Sequence, residues 1–518
     1  MSREEKRAFL SAFIAGLLVH IYKFSNTLPN SDSLYNFHDP QNIVASGRWF
    51  LSFACAPSSF FDLPWVTGLF SLVYISLTAA VVVRLLGIKD PVAVVLGGAL
   101  IASYPGMTET FFYGFTADGY FLAMLLSALA VLFSAFECKK PWQWAVSAVL
   151  LCLACGIYQA YVSFALVLTV VYFIGEMLEG RRTNGEAWLY IGRQAAIYAV
   201  GMILYYVVWR ICLAAEDAKA VTYLGIDAAA RLEFSPANIV GGPTGSRRYA
   251  GFMAVECTAS AYGMNLYGVL NIVFLAAAAV GAVIAAVKSG LFRRRMQLVL
   301  SIAAAVAIPL FACIWLIVSP DMVHRPMMLV CYCLVPVFAA ALYAPWLRPW
   351  IGNIFAVVLA LIILNNGVLA NISYFYMHSS YERSYATALE MTTRMHMIAD
   401  DDEIERIAIV GAGDKSDAVI LGYDEPSSHA HILTGRLRSD LMYDREHIYH
   451  FLEGVLGVDF RFASNEECAE LAEQPFELVS FRGKPAAERP DVADMGVWPA
   501  KDSMRLRNGV LIIKIGQY

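Results

Sequence analysis

Apolar runs long enough to cross a bilayer recur along this chain from Ala8 to about Asn371, and they constrain its fold more than any other feature. A hydrocarbon core of roughly 30 Å needs about 20 apolar residues in a helix. Candidate spans fall at about 8–24, 64–86, 91–106, 118–136, 142–156, 158–178, 188–212, 264–287, 297–318, 326–343 and 350–372. The expected fold is therefore an all-α polytopic membrane domain of about 11 helices over residues 1–380. Composition agrees: 58% of the 518 residues are hydrophobic and 16% charged, and the mean hydropathy of +0.56 lies outside the balance of a soluble domain. From about Ser373 the chain turns polar, and residues 400–518 are long enough to bury a core of their own as a water-soluble domain. The run Arg406–Gly413 (RIAIVGAG) and the later Leu511–Ile515 (LIIKI) are β-branched and apolar, so this tail is expected to be a small α/β or α+β domain. The GAG followed by Asp414 lacks the third glycine and the βαβ context of a dinucleotide fingerprint.

A net charge of −5, spread without long basic or acidic blocks, gives no footing for nucleic acid. Most of the ten cysteines, among them Cys152, Cys155, Cys313, Cys331 and Cys333, sit inside apolar runs as small core residues. The Cys152–Cys155 pair is a CxxC without redox or zinc context. The opening MSREEKRAFLSAFIAGLLVHIYKF has a charged lead but no small-residue cleavage site, and reads as a retained first span. Lys and Arg collect in one alternating set of connections: Arg3, Lys6 and Arg7, then Lys89, Lys139 and Lys140, Arg181 and Arg182, Lys288 with Arg293 to Arg295, and Arg348. By the positive-inside rule those connections face the cytoplasm. An odd number of spans then puts the N-terminus in the cytoplasm and the C-terminal domain outside, on the side of the 26–63 loop. An even count would break that conclusion.

The outward connections are the long and chemically varied ones, and an ionisable residue near a bilayer often marks a pathway or an active site. Four groups stand out. Asn30–Pro40 carries Asp32, His38 and Asp39 and leads to Gly47-Arg48-Trp49. A carboxylate there suits a general base and an arginine suits a phosphate, while the bland alternative is a solvated turn. The run Gln41–Ala54 is consistent with an interfacial helix, or with one packed on other helices. Next, Glu109 and Asp118 bracket the aromatic stretch around Tyr113. Acids beside aromatic rings suit sugar hydroxyls and faces, although Asp118 near a helix start also suits a cap. Third, Gly156–Tyr161 places Tyr158, Gln159 and Tyr161 at the junction of two spans, where tyrosines are common interface anchors. Last, Asp321, His324 and Arg325 lie in a short outer turn, where the arginine runs against the charge bias and calls for an anion such as a lipid phosphate, or Asp321 itself. No metal-ligand spacing, Walker loop or nucleophile elbow is present.

In content and in order these groups resemble the bacterial Gtr-type glucosyltransferases of O-antigen serotype conversion, membrane glycosyltransferases of the GT-C class. The resemblance rests on Asp32 with Gly47-Arg48-Trp49, Tyr104-Pro105 through Ala117-Asp118-Gly119-Tyr120, Ile157 to Tyr161, and Arg325, and covers roughly residues 1–380. Members often carry paired acids in the first loop, whereas here Asn30-Ser31-Asp32-Ser33 is followed only by Asp39, which leaves the base open between Asp32 and Asp39. The resemblance implies a multi-pass protein of the bacterial inner membrane. It implies transfer of a hexose, glucose in the first instance, from a polyprenyl-phosphate (undecaprenyl-phosphate) donor to a cell-surface glycan outside the membrane, with inversion. It implies that Asp32 takes the acceptor proton while Arg325 and Arg48 steady the leaving phosphate. Asp39, Glu109 and Asp118 would bind sugar hydroxyls or orient the base, with Tyr113, Tyr158, Gln159 and His324 lining the cavity. No metal or cofactor is expected. The rival class is a transporter or lipid-linked sugar flippase, which should show internal repeats; none is evident.

Overall fold

The computed structural model describes residues 1–35, 43–221, 266–315, 326–346, 349–400, 403–410, 441–442, 445–459, 461–462, 494–507 and 509–515. Helices dominate, and each of the eleven apolar runs named above forms one. They are α1 (Arg3–Ser25), α4 (Pro64–Leu85), α5 (Pro91–Ser103), α7 (Ala117–Phe133), α8 (Pro141–Ile157), α9 (Val162–Glu179), α10 (Asn184–Ala215), α11 (Leu266–Lys288), α12 (Arg295–Ala312), α13 (Leu334–Trp346) and α14 (Pro349–Ile398). Shorter helices are α2 (Ser31–Tyr35), α3 (Leu51–Ala54), α6 (Pro105–Phe112) and α15 (Arg445–Leu456). Eight helical stretches among the described residues have the length and apolar character to cross a membrane, and 117–133, 141–157 and 327–342 are shorter apolar helices.

The ends of these helices are written in the sequence. Pro64, Pro91, Pro105 and Pro141 occupy first-turn positions, where a missing N–H costs nothing. Asp90 accepts from the N–H groups of Val92 and Ala93, and Ser2 and Thr183 form capping boxes with Glu5 and Glu186.

Two compact units divide the chain: residues 1–27 with 42–372, and residues 28–41 with 373–518. In the first, α1 packs on α4 and α5, α7 lies between α4 and α8, α10 covers α8, and α12 lies on α9. Gly98 lets α5 approach α1 closely, since a Cβ there would stand 2.7 Å from the Ala8 carbonyl oxygen. The share of buried positions separates centre from periphery. It reaches 83% in the 159–179 stretch and 78% across 91–112, but 28%, 22% and 17% in the stretches forming α10, α11 and α12. Those outer helices turn apolar faces outward, as lipid-facing helices do.

In the second unit, β1 (Arg406–Val410), β2 (Met504–Arg507) and β3 (Val510–Lys514) form a sheet of order β1-β3-β2. β1 runs parallel to β3 with Ile407 opposite Leu511, and β2 runs antiparallel to it. Ile407, Ile409, Leu511 and Ile513 join Ile448, Phe451 and Leu452 of α15 and Met391 and Met395 of α14 in one core. Leu34 of α2 is fully buried in that same core, so the Asp32 segment belongs to the unit of the C-terminal tail. Of the two runs anticipated as strands in the tail, Arg406–Gly413 and Leu511–Ile515, residues 406–410 and 511–514 are in strands, and 411–413 lie outside the described residues.

The described part of 41–54 is not a continuous helix. Residues 43–47 turn, and only Leu51–Ala54 is helical. Gly47 stands at φ +85°, which ends any helix, and a Cβ there would meet Gln159 Nε2 at 2.3 Å and Tyr205 Oη at 2.4 Å.

Candidate functional site

The 43–55 segment lies over the ends of α7, α8 and α10, and the reason is a set of directed hydrogen bonds. The N–H of Phe50 donates to Gly156 O (2.7 Å), and the Trp209 indole donates to Val44 O (2.8 Å). Gln159 Nε2 donates to Ser46 O (2.8 Å) and to Tyr205 Oη (2.9 Å), and Tyr205 in turn donates to Gly47 O (3.1 Å). A Cβ on Gly156 would stand 2.7 Å from the Trp49 ring, so the glycine of the Gly156–Tyr161 group seats that indole. The segment is therefore packed on helices, although only Leu51–Ala54 of it is itself helical.

This brace fixes Arg48. Its Nε donates to Ser46 Oγ (2.8 Å) and its Nη1 to Tyr120 Oη (3.3 Å), while the side chain stays half-buried. Tyr120 stacks on Tyr158 with ring centroids 4.7 Å apart and packs against Tyr161 at 6.5 Å. One arginine, one amide and three tyrosines thus converge where α7 and α9 begin and α8 ends. A guanidinium so held is preorganised for a phosphate, and flat aromatic faces suit a sugar ring.

Asp118, two residues before Tyr120, is fully buried in the first turn of α7, with Thr116 and not Asp118 as the N-cap. Its Oδ1 accepts from Gly119 N–H (3.0 Å), and Oδ2 has no hydrogen-bond partner among the described residues. Ser58 and Cys55 are its polar neighbours. A buried carboxylate with an unused oxygen is costly unless something else engages it. Glu109, 2% exposed, has a structural partner: it accepts the N–H of Met327 at the start of the 3-10 stretch Pro326–Cys333. A carboxylate at the positive end of a helix is favourable, and it joins α6 to that stretch. Tyr113 is buried at the C-cap of α6.

The sequence candidates thus separate. Arg48, Tyr158 and Gln159 come together in the first unit, and Glu109, Tyr113 and Asp118 are buried in that unit too. Asp32 lies in the second unit, half-buried in the first turn of α2, where Asn30 Oδ1 accepts from Ser33 N–H and Oγ at 2.7 Å each. Asp39, His324 and Arg325 lie outside the described residues. No group of three or more His, Cys, Asp or Glu among the described residues is placed to hold a metal ion.

Residues 21–343 match the family described as glucosyl transferase GtrII. The chain belongs to that family. The match spans more than half of the 518 residues and contains every candidate named above, and the family's activity makes the chain a membrane glycosyltransferase. No curated protein and no solved structure matches it.

Other contributors to this region carry a fainter signal in the sequence. Tyr205 and Trp209 stand at i and i+4 on α10, one polar-tipped face in an apolar span, and that spacing is the available signal. Lys23 and Asp62 form an ion pair at 3.3 Å with side chains 3% and 11% exposed, tying the end of α1 to the residue pair before α4. Replacing Gln159 with leucine removes two donated hydrogen bonds and strands the Ser46 carbonyl. The variant is expected to lose about 1–3 kcal/mol of stability, read as a lower unfolding midpoint in detergent.

Proposed function

We propose that this glycosyltransferase moves a hexose, glucose in the first instance, from a polyprenyl-phosphate carrier to a cell-surface glycan on the extracytoplasmic side, with inversion. The observation that carries the proposal is membership of a glucosyl transferase family by a chain with eight span-length apolar helices among its described residues. In this reading the three shorter apolar helices among the described residues also cross the membrane, eight plus three making the 11 spans expected from the sequence. With that odd count the Lys- and Arg-rich connections face the cytoplasm, and a lipid-bound sugar is the donor available on the other side.

In this reading the acceptor hydroxyl attacks the anomeric carbon as the bond from that carbon to the phosphate oxygen breaks. Asp32 takes the hydroxyl proton, with Asp39 the second candidate, and the pair of electrons leaves on polyprenyl phosphate. Arg48, with Arg325, steadies the charge growing on that phosphate. Arg48 supports this role because Ser46 and Tyr120 already fix its orientation. Tyr158, Gln159, Tyr113 and His324 line the donor site, and Asp118 and Glu109 bind hydroxyls or hold the frame. Because arginines neutralise the phosphate, no divalent metal is needed: activity is expected to persist in excess chelator.

The linkage of the product tests the displacement. A β-linked donor should give an α-linked product by NMR, with no sugar left on the protein. Retention of configuration would overturn the single-displacement scheme.

A further inference from the structure

At the other end of the first unit, about 22 Å along α7 from Asp118 at 1.5 Å per residue, lies a cavity of about 850 Å³. It is formed where α4, α7 and α9 end and α5 begins, in the Lys- and Arg-bearing connections, so it has no part in the candidate site. Its volume is that of a small-ligand pocket, roughly 300–1,000 Å³. Its charges are sorted by element. The end of α4 and the connection after it bring Arg84 and Lys89, with Asp90 at the start of α5, whereas the α7–α8 connection and the end of α9 bring Glu137, Glu176 and Glu179, with Arg181 just beyond. Leu86, Ile88, Leu132 and Phe133 supply apolar surface between them.

The basic wall is lightly engaged. Arg84 is 60% exposed and reaches Glu5 only at 4.0 Å, and Lys89 has no ion pair among the described residues. Gly87 between them stands at φ +61° with nothing within 4 Å of the place its Cβ would take. Asp90 also lines the cavity, but its Oδ1 accepts from two N–H groups as the cap of α5. The acidic wall is braced: Arg182 bonds both Glu137 and Glu176, Tyr172 Oη donates to Glu137 Oε2 (3.0 Å), and Arg181 pairs with Glu179 at 2.9 Å. Burial alone would raise the Glu137 carboxyl, but its backbone N–H and Arg182 outweigh it and hold the group below its usual value. Glu137 is thus ionised at neutral pH, and with its side chain 64% exposed it keeps lone pairs for another donor.

A near-neutral pocket with basic side chains on one connection, acidic ones opposite and an apolar floor, at the ends of the apolar helices α4, α7 and α9, matches a ligand that is itself zwitterionic and amphiphilic. We propose that this cavity binds the headgroup of an amino-phospholipid, the phosphate on Arg84 and Lys89 and the primary ammonium on Glu137 and Glu179. An ammonium can donate three hydrogen bonds where a quaternary amine donates none, and a purely anionic headgroup would bring no donor to the lone pairs that Glu137 keeps.

The test is native mass spectrometry of the full-length protein titrated with phosphatidylethanolamine, phosphatidylcholine or phosphatidylglycerol of identical chains, with soluble O-phosphoethanolamine as the headgroup without a lipid. Phosphatidylethanolamine should bind at least about fivefold more tightly than the other two lipids, a preference of about 1 kcal/mol. The preference should vanish in Arg84→Gln/Lys89→Gln and in Glu137→Gln/Glu179→Gln. Equal binding of the three lipids, preference for phosphatidylglycerol, or a preference that survives both double variants would overturn it. Tight binding of soluble O-phosphoethanolamine with no gain from acyl chains would also overturn the lipid assignment. Should the variants fail to fold, the wild-type protein decides the matter: a headgroup-photoactivatable phosphatidylethanolamine must label 84–90 or 137–143, and labelling elsewhere refutes the site.

Discussion

Asp32→Asn protein is expected to transfer sugar roughly 100- to 10,000-fold more slowly than wild type, the range a positioned general base supplies, with little change in donor affinity. Asparagine keeps the size and the turn-forming habit of the side chain, so α2 and the Asn30 cap should survive. What it loses is the capacity to take a proton. Asp39→Asn serves as the comparison, since the third acid of the first loop, Asp62, is already paired with Lys23: the larger loss identifies the base. The fold adds a condition. Leu34, two residues on, is buried in the core built from α15 and the sheet, and α2 packs on α15. Removing residues 400–518 therefore strips the Asp32 segment of its packing partners and should abolish transfer, although the first unit keeps its own helices. Full activity in the truncated protein would show that the tail has no such role.

Arg48→Ala is expected to cost about 100- to 1,000-fold in kcat, comparable to removal of one preorganised charge-stabilising donor. Lysine should rescue little. A guanidinium engages Ser46 Oγ and Tyr120 Oη through separate nitrogens and still presents further N–H groups, whereas an ammonium is a single point of charge. A loss confined to KM, with kcat intact, would mean that Arg48 binds the donor equally before and during reaction and does not stabilise the leaving phosphate.

Helix placement was legible in the sequence because each helix depends on its own apolar run and on local end signals such as Pro64, Pro91 and Pro141. The strands at 406–410 and 510–514 were legible for the same local reason. What stayed hidden depends on contacts far apart in the chain. That Gly47 must be glycine follows from Gln159 and Tyr205, more than 100 residues away. That residues 43–47 turn, within a run that suits an interfacial or packed helix by sequence, follows from bonds such as that of Val44 O to Trp209. The bond from the Met327 N–H to Glu109 is likewise a long-range fact that no local pattern carries. Even the membership of residues 28–41 in the unit of the tail rests on Leu34 meeting a core assembled from residues after 380.

The identity of the donor is decided by one assay. Purified protein in nanodiscs should be given polyprenyl-phosphate glucose labelled separately in the sugar and in the lipid, together with cell-surface glycan. Labelled glucose should appear on the glycan and free polyprenyl phosphate should accumulate one for one, while UDP-glucose should give no product. Transfer from UDP-glucose, or movement of the intact labelled lipid between leaflets with no glycan product, would contradict it.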